Sequence, residues 1–324
     1  MPNHFARQCV TALGLTLAIA TAGAQSFPTR PITIVVPFPP GGLTDQTARL
    51  VGARVSENIK QTVLVDNRPG GGGQIAATFV KNAPADGHTL FLAGVGTHAI
   101  NQTLYNQLTY DPIKDFEPIT NLIQSQVIVV VPAAHPAKTM ADLVAMARAN
   151  PGKMNYASQS VGSTGHLSGE LVRSVNKLDL VHVPYRGSAP ALVDMVAGRV
   201  EFLFDAVVSS LPFVRDGRLR AIGLSGARRS NLLPSVPTLT EQGHPGYDVA
   251  TWFGLAAPAG TPRPIIDRLN MEFVRAIRSP DIVQRFADQG VDIVTNSPAE
   301  FAAFIRTETE RLGKVVKDSG ARAD

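Results

Sequence analysis

Hydrophobic residues fall into two alternating patterns along this chain. Short runs rich in β-branched residues, such as Ile32-Thr-Ile-Val-Val36, give way to stretches where apolar residues recur at helical spacing, as Ala48, Val51, Val55 and Ile59 do. The first pattern reads as buried strand and the second as amphipathic helix. Strands are predicted at 32–37, 63–66, 89–93, 127–131, 154–157, 180–183, 200–204, 219–224 and 253–257. Helices are predicted at 45–58, 74–81, 140–149, 166–176, 191–197, 264–277, 281–289 and 298–318. Such alternation argues for an α/β architecture with parallel sheets. No internal repeat or low-complexity linker interrupts it. NPGKMN and PAGTPRP are turn clusters rather than tethers.

Two uncharged runs share one texture. They are QSQVIVVVP at 124–132 and TWFGLAAPAG at 251–260. Both suit strands that carry the chain between two α/β lobes. One lobe would then comprise 25–126 plus 251–324, from both chain ends, and the other 127–250.

The predicted strands and helices are joined repeatedly by small, polar, glycine-bearing loops. PFPPGGLTD follows the first strand and AGVGTHAIN follows 89–93. YASQSVGSTGHLSGEL and VPYRGSAPALVDM repeat the design in the middle of the chain. Loops of this kind expose backbone N–H groups at the positive end of a helix, where an anion binds. None contains the lysine of a P-loop or the spacing G-x-G-x-x-G. NRPGGGGQIAA fits either a fifth loop of this kind or a tight turn.

Composition narrows the chemistry. The 324 residues carry a net charge of +4, with basic residues scattered rather than clustered, which argues against nucleic acid. Arg7, the apolar run 9–20 and Ala22-Gly-Ala24 form a secretory signal peptide with cleavage near Ala24, placing the mature protein in the periplasm. The apolar run falls short of the roughly 20 residues that span a bilayer. Cys9, the sole cysteine, lies in that segment without a lipoprotein pattern before it. The mature chain therefore has no thiolate for metal or disulfide. The seven histidines contain no H-E-x-x-H, so no metal site and no cofactor are expected. A monomer is expected.

A hydrolase triad of Ser163, His166 and Asp205 is the enzymatic alternative. Against it, G-x-S-x-G is absent: Val161 stands where the first glycine belongs. Serine three residues before histidine at a helix start fits a cap better.

Taken together, PFPPGGLTD, NRPGGGG, DGHTLFLAGVGTHAIN, LTYDPIKDFEPIT, YASQSVGSTGHLSGEL, VHVPYRGSAPALVDMVAGRVEFLFD, LRAIGLSGARRS, LPSVPTLTEQG and WFGLAAPAGTP resemble the Bug receptors. These are periplasmic solute receptors of the tripartite tricarboxylate transporter type. The resemblance covers nearly all of the mature chain, in order. It implies a two-lobed type II periplasmic-binding-protein fold with the ligand in the interlobe cleft. Dicarboxylates, tricarboxylates, amino acids and aromatic acids are the implied ligands. Matching motifs imply contacts from Phe38, Gly41, Gly42, Asp45, Thr97 and His98 in the first lobe. In the second lobe they imply Ser158, Ser163, Thr164, His166, Tyr185, Gly187 and Asp205. Asp45 is expected to cap its own helix. Asp205 either braces loop N–H groups or accepts a bond from a ligand amine or hydroxyl. Gly165 departs from the larger residue common before the histidine, which implies a wider pocket or one more free N–H. Delivery to a membrane transporter and reporting to a sensor protein both remain open as roles.

The exported protein should begin near Gln25 or Ser26. Intact-mass measurement of periplasmic protein checks this; a mass that retains residues 1–24 contradicts it.

Overall fold

A computed structural model describes residues 27–226, 228–244, 247 and 249–323. The expected signal peptide and its cleavage site lie outside the described residues. Strands β1 (Ile32–Val36), β2 (Val63–Asn67), β3 (Thr89–Gly94), β4 (Phe116–Ser125), β10 (Thr251–Pro258) and β11 (Val291–Ile293) form one sheet, in the order β11-β4-β10-β3-β1-β2. Strands β5 (Val127–Pro132), β6 (Asn155–Ser158), β7 (Val181–Pro184), β8 (Phe202–Ala206) and β9 (Leu219–Leu224) form a second, in the order β7-β6-β8-β5-β9.

Both sheets are mixed rather than parallel throughout. β1 runs parallel to β2 and β3, and β6 runs parallel to β7 and β8. The strands that enter from the other sheet run the opposite way. β5 lies antiparallel to β8 and β9, and β10 lies antiparallel to β3 and β4. The register explains this. Val127, the first residue of β5, pairs with Ala206 at the carboxyl end of β8. Phe253, near the start of β10, pairs with Gly94 at the carboxyl end of β3. The chain therefore enters each sheet at the carboxyl ends of its parallel strands, and must run away from them. Those ends are where open α/β sheets bind ligands.

Each sheet is covered on both faces, as parallel pairing requires. Helices α1 (Leu43–Ile59), α8 (Arg263–Ile277) and α9 (Pro280–Ala287) bury Val51, Phe273 and Phe286 against one face of the first sheet; α2 (Gln74–Lys81) packs Ala76, Ala77 and Val80 on the other. In the second sheet α4 (Met140–Ala149) and α5 (Thr164–Val175) share a core with Tyr156 and Phe202. On its opposite face lie α6 (Ser188–Val196) and α7 (Val207–Arg215). A five-residue π-helical turn, Gly96–Ile100, leads from β3 into the short α3 (Asn101–Leu104). The last helix, α10 (Pro298–Ser319), opens on a capping box formed by Ser297 and Glu300.

That final helix touches both halves of the molecule. Its Phe301, Ile305 and Leu312 pack with Trp252 at the start of β10, with Val95 and Ile100 beyond β3, and with Leu167 of α5. Trp252 is fully buried, meets Phe301 edge-on at 5.9 Å, and donates its indole N–H to Glu308 at 3.3 Å. Near the end of α5, Arg173 reaches the carbonyl of Ser319 at 3.2 Å.

The hydrophobic pattern missed strands β4 and β11 and helices α3 and α7; β11 and α3 are only three and four residues long. β4 contains Pro118 and Asn121, which disguise a ten-residue strand. Pro118 is tolerated because it faces Ala256 where the ladder shifts register. α7 carries Pro212 and two leading valines, all poor helix signals. NRPGGGG proves to be a turn. Gly70 to Gly73 all have positive φ, and the Gly72 carbonyl accepts the Asn101 side-chain amide at 2.9 Å.

Three histidines lie near the cleft-facing loops, His98 and His166 buried and His182 half-buried. His98 is fully buried between Phe91 and Phe116, with ring centroids 5.6 and 5.0 Å away. Burial pushes its pKa down to about 3. His182 stacks between Tyr156 at 4.8 Å and His166 at 4.3 Å. Burial, then the neighbouring His166, takes His182 down to about 4. Burial also lowers His166, against the pull of Glu170. An imidazole whose folded pKa is depressed binds fewer protons folded than unfolded, so acid favours the unfolded chain. The thermal midpoint should fall as pH drops from about 6.5 toward about 5, above the range where carboxylates titrate. In an NMR titration the His98 and His182 ring signals should still be those of neutral imidazole at about pH 5.5; a midpoint near 6.5 for either would contradict its depressed pKa.

Candidate functional site

Between the two sheets lies a cavity of about 480 Å³. Its walls come from the loops at the strand carboxyl ends. The loop after β1 supplies Phe38, Gly41, Gly42 and Thr44. Thr97 comes from the π-helical turn, Gln159, Ser163 and Thr164 from the loop after β6, and Arg186, Gly187 and Ser188 from the loop after β7. Asp205 and Ala206 end β8, and Thr251 begins β10. The residues that cap α1, α5, α6 and α7 are Gly42, Ser163, Gly187 and Ala206, and all four line this cavity. Four helix N-termini therefore converge on one space. The first N–H groups of each helix have no intrahelical acceptor.

The loop after β1 is held by Asp45 from behind. Asp45 is 4% exposed; it accepts the Gly41 N–H at 3.0 Å and pairs with Arg49 at 2.9 Å. Burial would raise its carboxyl, but the bonds from Arg49, Gly41 and Asn67 hold it below the usual carboxylate range. Asp45 thus ties down the entry loop rather than capping its own helix. The Gly41 N–H is consumed by that bond, which leaves Gly42, Leu43 and Thr44 to open the helix.

On the facing wall Asp205 gathers three segments. Its Oδ1 accepts the Gln159 amide at 2.8 Å and the Ser188 hydroxyl at 2.7 Å, and its Oδ2 accepts the Ser210 hydroxyl at 2.9 Å. It is 2% exposed. Burial pushes its carboxyl up, and these donors oppose that rise. Asp205 is a brace for neighbouring side chains.

Gly165 does not widen the cavity. A β-carbon there would collide with the Gln159 carboxamide and with the Phe204 carbonyl oxygen. The space that glycine leaves is filled by Gln159, whose amide also donates to Phe204 O at 2.6 Å.

Several expected contacts sit behind the wall rather than in it. His98 and Ser158 are fully buried and His166 nearly so, and none of them lines the cavity. Ser158 bonds the Ser160 carbonyl at 3.0 Å and His182 Nε2 at 2.7 Å. The Tyr185 hydroxyl donates to Asp194 at 2.8 Å, away from the cavity. Ser163 caps α5, accepting the His166 backbone N–H at 3.2 Å and donating to Ser160 O at 2.7 Å. The His166 ring instead receives the Gly162 N–H at 3.3 Å. Serine hydroxyl, imidazole and Asp205 carboxylate are thus not linked as a triad requires. Among the described residues no group of three or more His, Cys, Asp or Glu is placed to hold a metal ion.

Reading by loops missed Thr44, Gln159, Arg186, Ser188 and Thr251. Thr251 lies at the start of an apolar strand and donates to the Thr164 hydroxyl at 3.1 Å, joining the two halves at the cavity floor. Gln159 and Arg186 stood inside the recognised loops, one residue from positions that were singled out.

Comparison with known proteins bears on this arrangement. Residues 47–321 match the model of the tripartite tricarboxylate transporter family receptors. Protein BugT of Bordetella pertussis is 34% identical over 311 residues, covering 94% of this chain and 95% of BugT. A Rhodopseudomonas palustris protein solved with adipate superposes with a TM-score of 0.87 at 38% identity, covering 91% of this chain and 99% of that one. MatC from the same organism, with bound malate, gives 0.85 at 35% identity, covering 90% and 100%. The two-lobed periplasmic-binding fold implied by the sequence resemblance is the fold observed. With four helix N-termini facing one interlobe cavity and a family match over most of its length, this chain belongs to the tripartite tricarboxylate transporter receptor family, which includes the Bug proteins.

Proposed function

We propose that this chain is a periplasmic receptor that closes its two lobes, 25–126 with 251–324 and 127–250, around a small carboxylate. It then delivers that ligand, chemically unchanged, to a tripartite tricarboxylate-type membrane transporter. The convergence of four helix N-caps on one cavity carries this reading. Backbone donors at helix N-termini suit an anion without requiring a buried cation. Adipate and malate, held by the two solved relatives, are both dicarboxylates and support the ligand class.

Magnitudes agree with a receptor. A hydrogen bond to a charged group contributes about 1.5–3 kcal/mol. Four or five such bonds, less the costs of association and closure, leave about −8 kcal/mol, near micromolar. A lysine buried among these donors would carry a desolvation cost whenever the cleft stood empty. A receptor that must also release its ligand gains nothing from it.

Gly42 offers a direct test. Its φ of −79° is open to any residue, and an added β-carbon would meet only the Thr44 hydroxyl at 3.8 Å. Gly42→Val should therefore fold normally while its side chain blocks approach to the N–H groups of the first turn. We expect about a tenfold or greater loss of affinity for carboxylate ligands by calorimetry. The unaltered protein should discriminate against the corresponding amides by a similar factor, and ligand recovered afterwards should be intact by NMR. Equal binding of acid and amide would remove the carboxylate from this site.

A further inference from the structure

The cavity that the proposed function assigns to a carboxylate is unevenly furnished. Backbone and hydroxyl donors lie around the helix N-caps. Much of the remaining wall is apolar, including Phe38 and Pro39 from the first lobe, Val193 of α6, Val208 and Phe213 of α7, and Phe253 of β10. Among the described residues that line it there is a single cation, Arg186. It is exposed and makes no ion pair or hydrogen bond through its side chain among the described residues.

The backbone around Arg186 is fixed on both sides. Tyr185 N–H donates to Ser158 O at 2.9 Å, and Gly187 N–H donates to Gln159 O at 2.7 Å. Gly187 holds φ at +105° and faces Pro39 across the cleft, where an added β-carbon would lie 4.0 Å from the proline ring. The guanidinium thus stands on a rigid loop at the edge where the two lobes approach, not at the end of a mobile one.

We infer that Arg186 determines specificity by pairing with the second carboxylate of a dicarboxylic acid whose spacer is apolar, an aliphatic chain or an aromatic ring. This deepens the carboxylate-receptor reading and rests on it. One carboxylate lies among the helix N-termini, the spacer lies against the apolar wall, and the distal carboxylate meets the guanidinium in a charge-assisted pair. A cavity of about 480 Å³ lies within the size range that holds ligands larger than a four-carbon acid. A hydroxyl or a third carboxylate on the spacer would lose much of its water against those side chains, among which Ser209 of α7 is the nearest hydroxyl in sequence. The class therefore excludes citrate-like acids.

Matched pairs test this: hexanedioate against hexanoate, and benzene-1,4-dicarboxylate against benzoate, with citrate as a fifth probe. Each is titrated by calorimetry into the unaltered protein, Arg186→Gln, Arg186→Lys and Gly42→Val. The Arg186 side chain makes no ion pair or hydrogen bond among the described residues, so its variants should keep the thermal midpoint. The unaltered protein should favour a diacid over its monoacid by about tenfold or more. Arg186→Gln should abolish that preference with the loss confined to the diacids, and Arg186→Lys should restore part of it. Equal loss for both members of a pair, no loss for either, or citrate binding tighter than both diacids overturns the inference. If acids bind and Gly42→Val weakens them while Arg186→Gln discriminates nothing, only the role of Arg186 fails. If the unaltered protein binds none of the five, or if Gly42→Val weakens none, the carboxylate reading itself has failed, and this inference with it.

Discussion

A carboxylate without solvent must be supplied with donors, and the cleft-facing wall of the second lobe is organised around that requirement. Asp205 draws its donors from Gln159 after β6, from Ser188 at the first position of α6, and from Ser210 within α7. Three elements distant in sequence are thereby brought into one register. An unpaired charge there would cost several kcal/mol, so the donors have little freedom to be elsewhere. The constraint spreads outward. Gln159, held by Asp205 and by the Phe204 carbonyl, occupies the volume that a side chain at position 165 would need. The glycine is therefore a consequence of the brace.

Strand direction completes the site. Because the chain enters each sheet at the carboxyl ends of its parallel strands, both crossings lie at the cleft, and the loops that follow β1, β3, β6, β7 and β8 face one another. Helices that begin in those loops must point their N-termini inward. Positive potential thus arises from backbone geometry, and the side chains remain free to be apolar and to set selectivity. The helix α10 and Trp252 pack against both halves on one side.

The division of labour suits reversible capture. Helix ends attract an anion with modest, screened energies of a few tenths to about 1 kcal/mol each. The buried ionisable groups nearest the cavity, Asp45 and Asp205, are engaged with protein donors and so leave the ligand no strong fixed charge to escape from. Charge selectivity falls to Arg186 at the rim, where its cost when unpaired is small because water still reaches it.

Much of this was legible in the chain itself. Local periodicity located nine of the strands, because alternation and β-branched runs record burial that neighbouring residues share. Glycine-bearing loops without lysine pointed to an anion held by backbone, because that chemistry is local to a strand–loop–helix junction. The ordered motifs carried the family. Tertiary structure alone decided what each side chain faces. Asp45, His98, Ser158, His166 and Tyr185 stand in the recognised loops yet turn behind the cavity wall, while Arg186 and Gln159, beside them in sequence, line it. β4 was hidden because Pro118 is acceptable only where a partner strand shifts register. Periodicity reports that a residue is buried or exposed. It holds no information about which distant element supplies the contact, and the burial of Asp205 among three such elements is a property of the assembled fold alone.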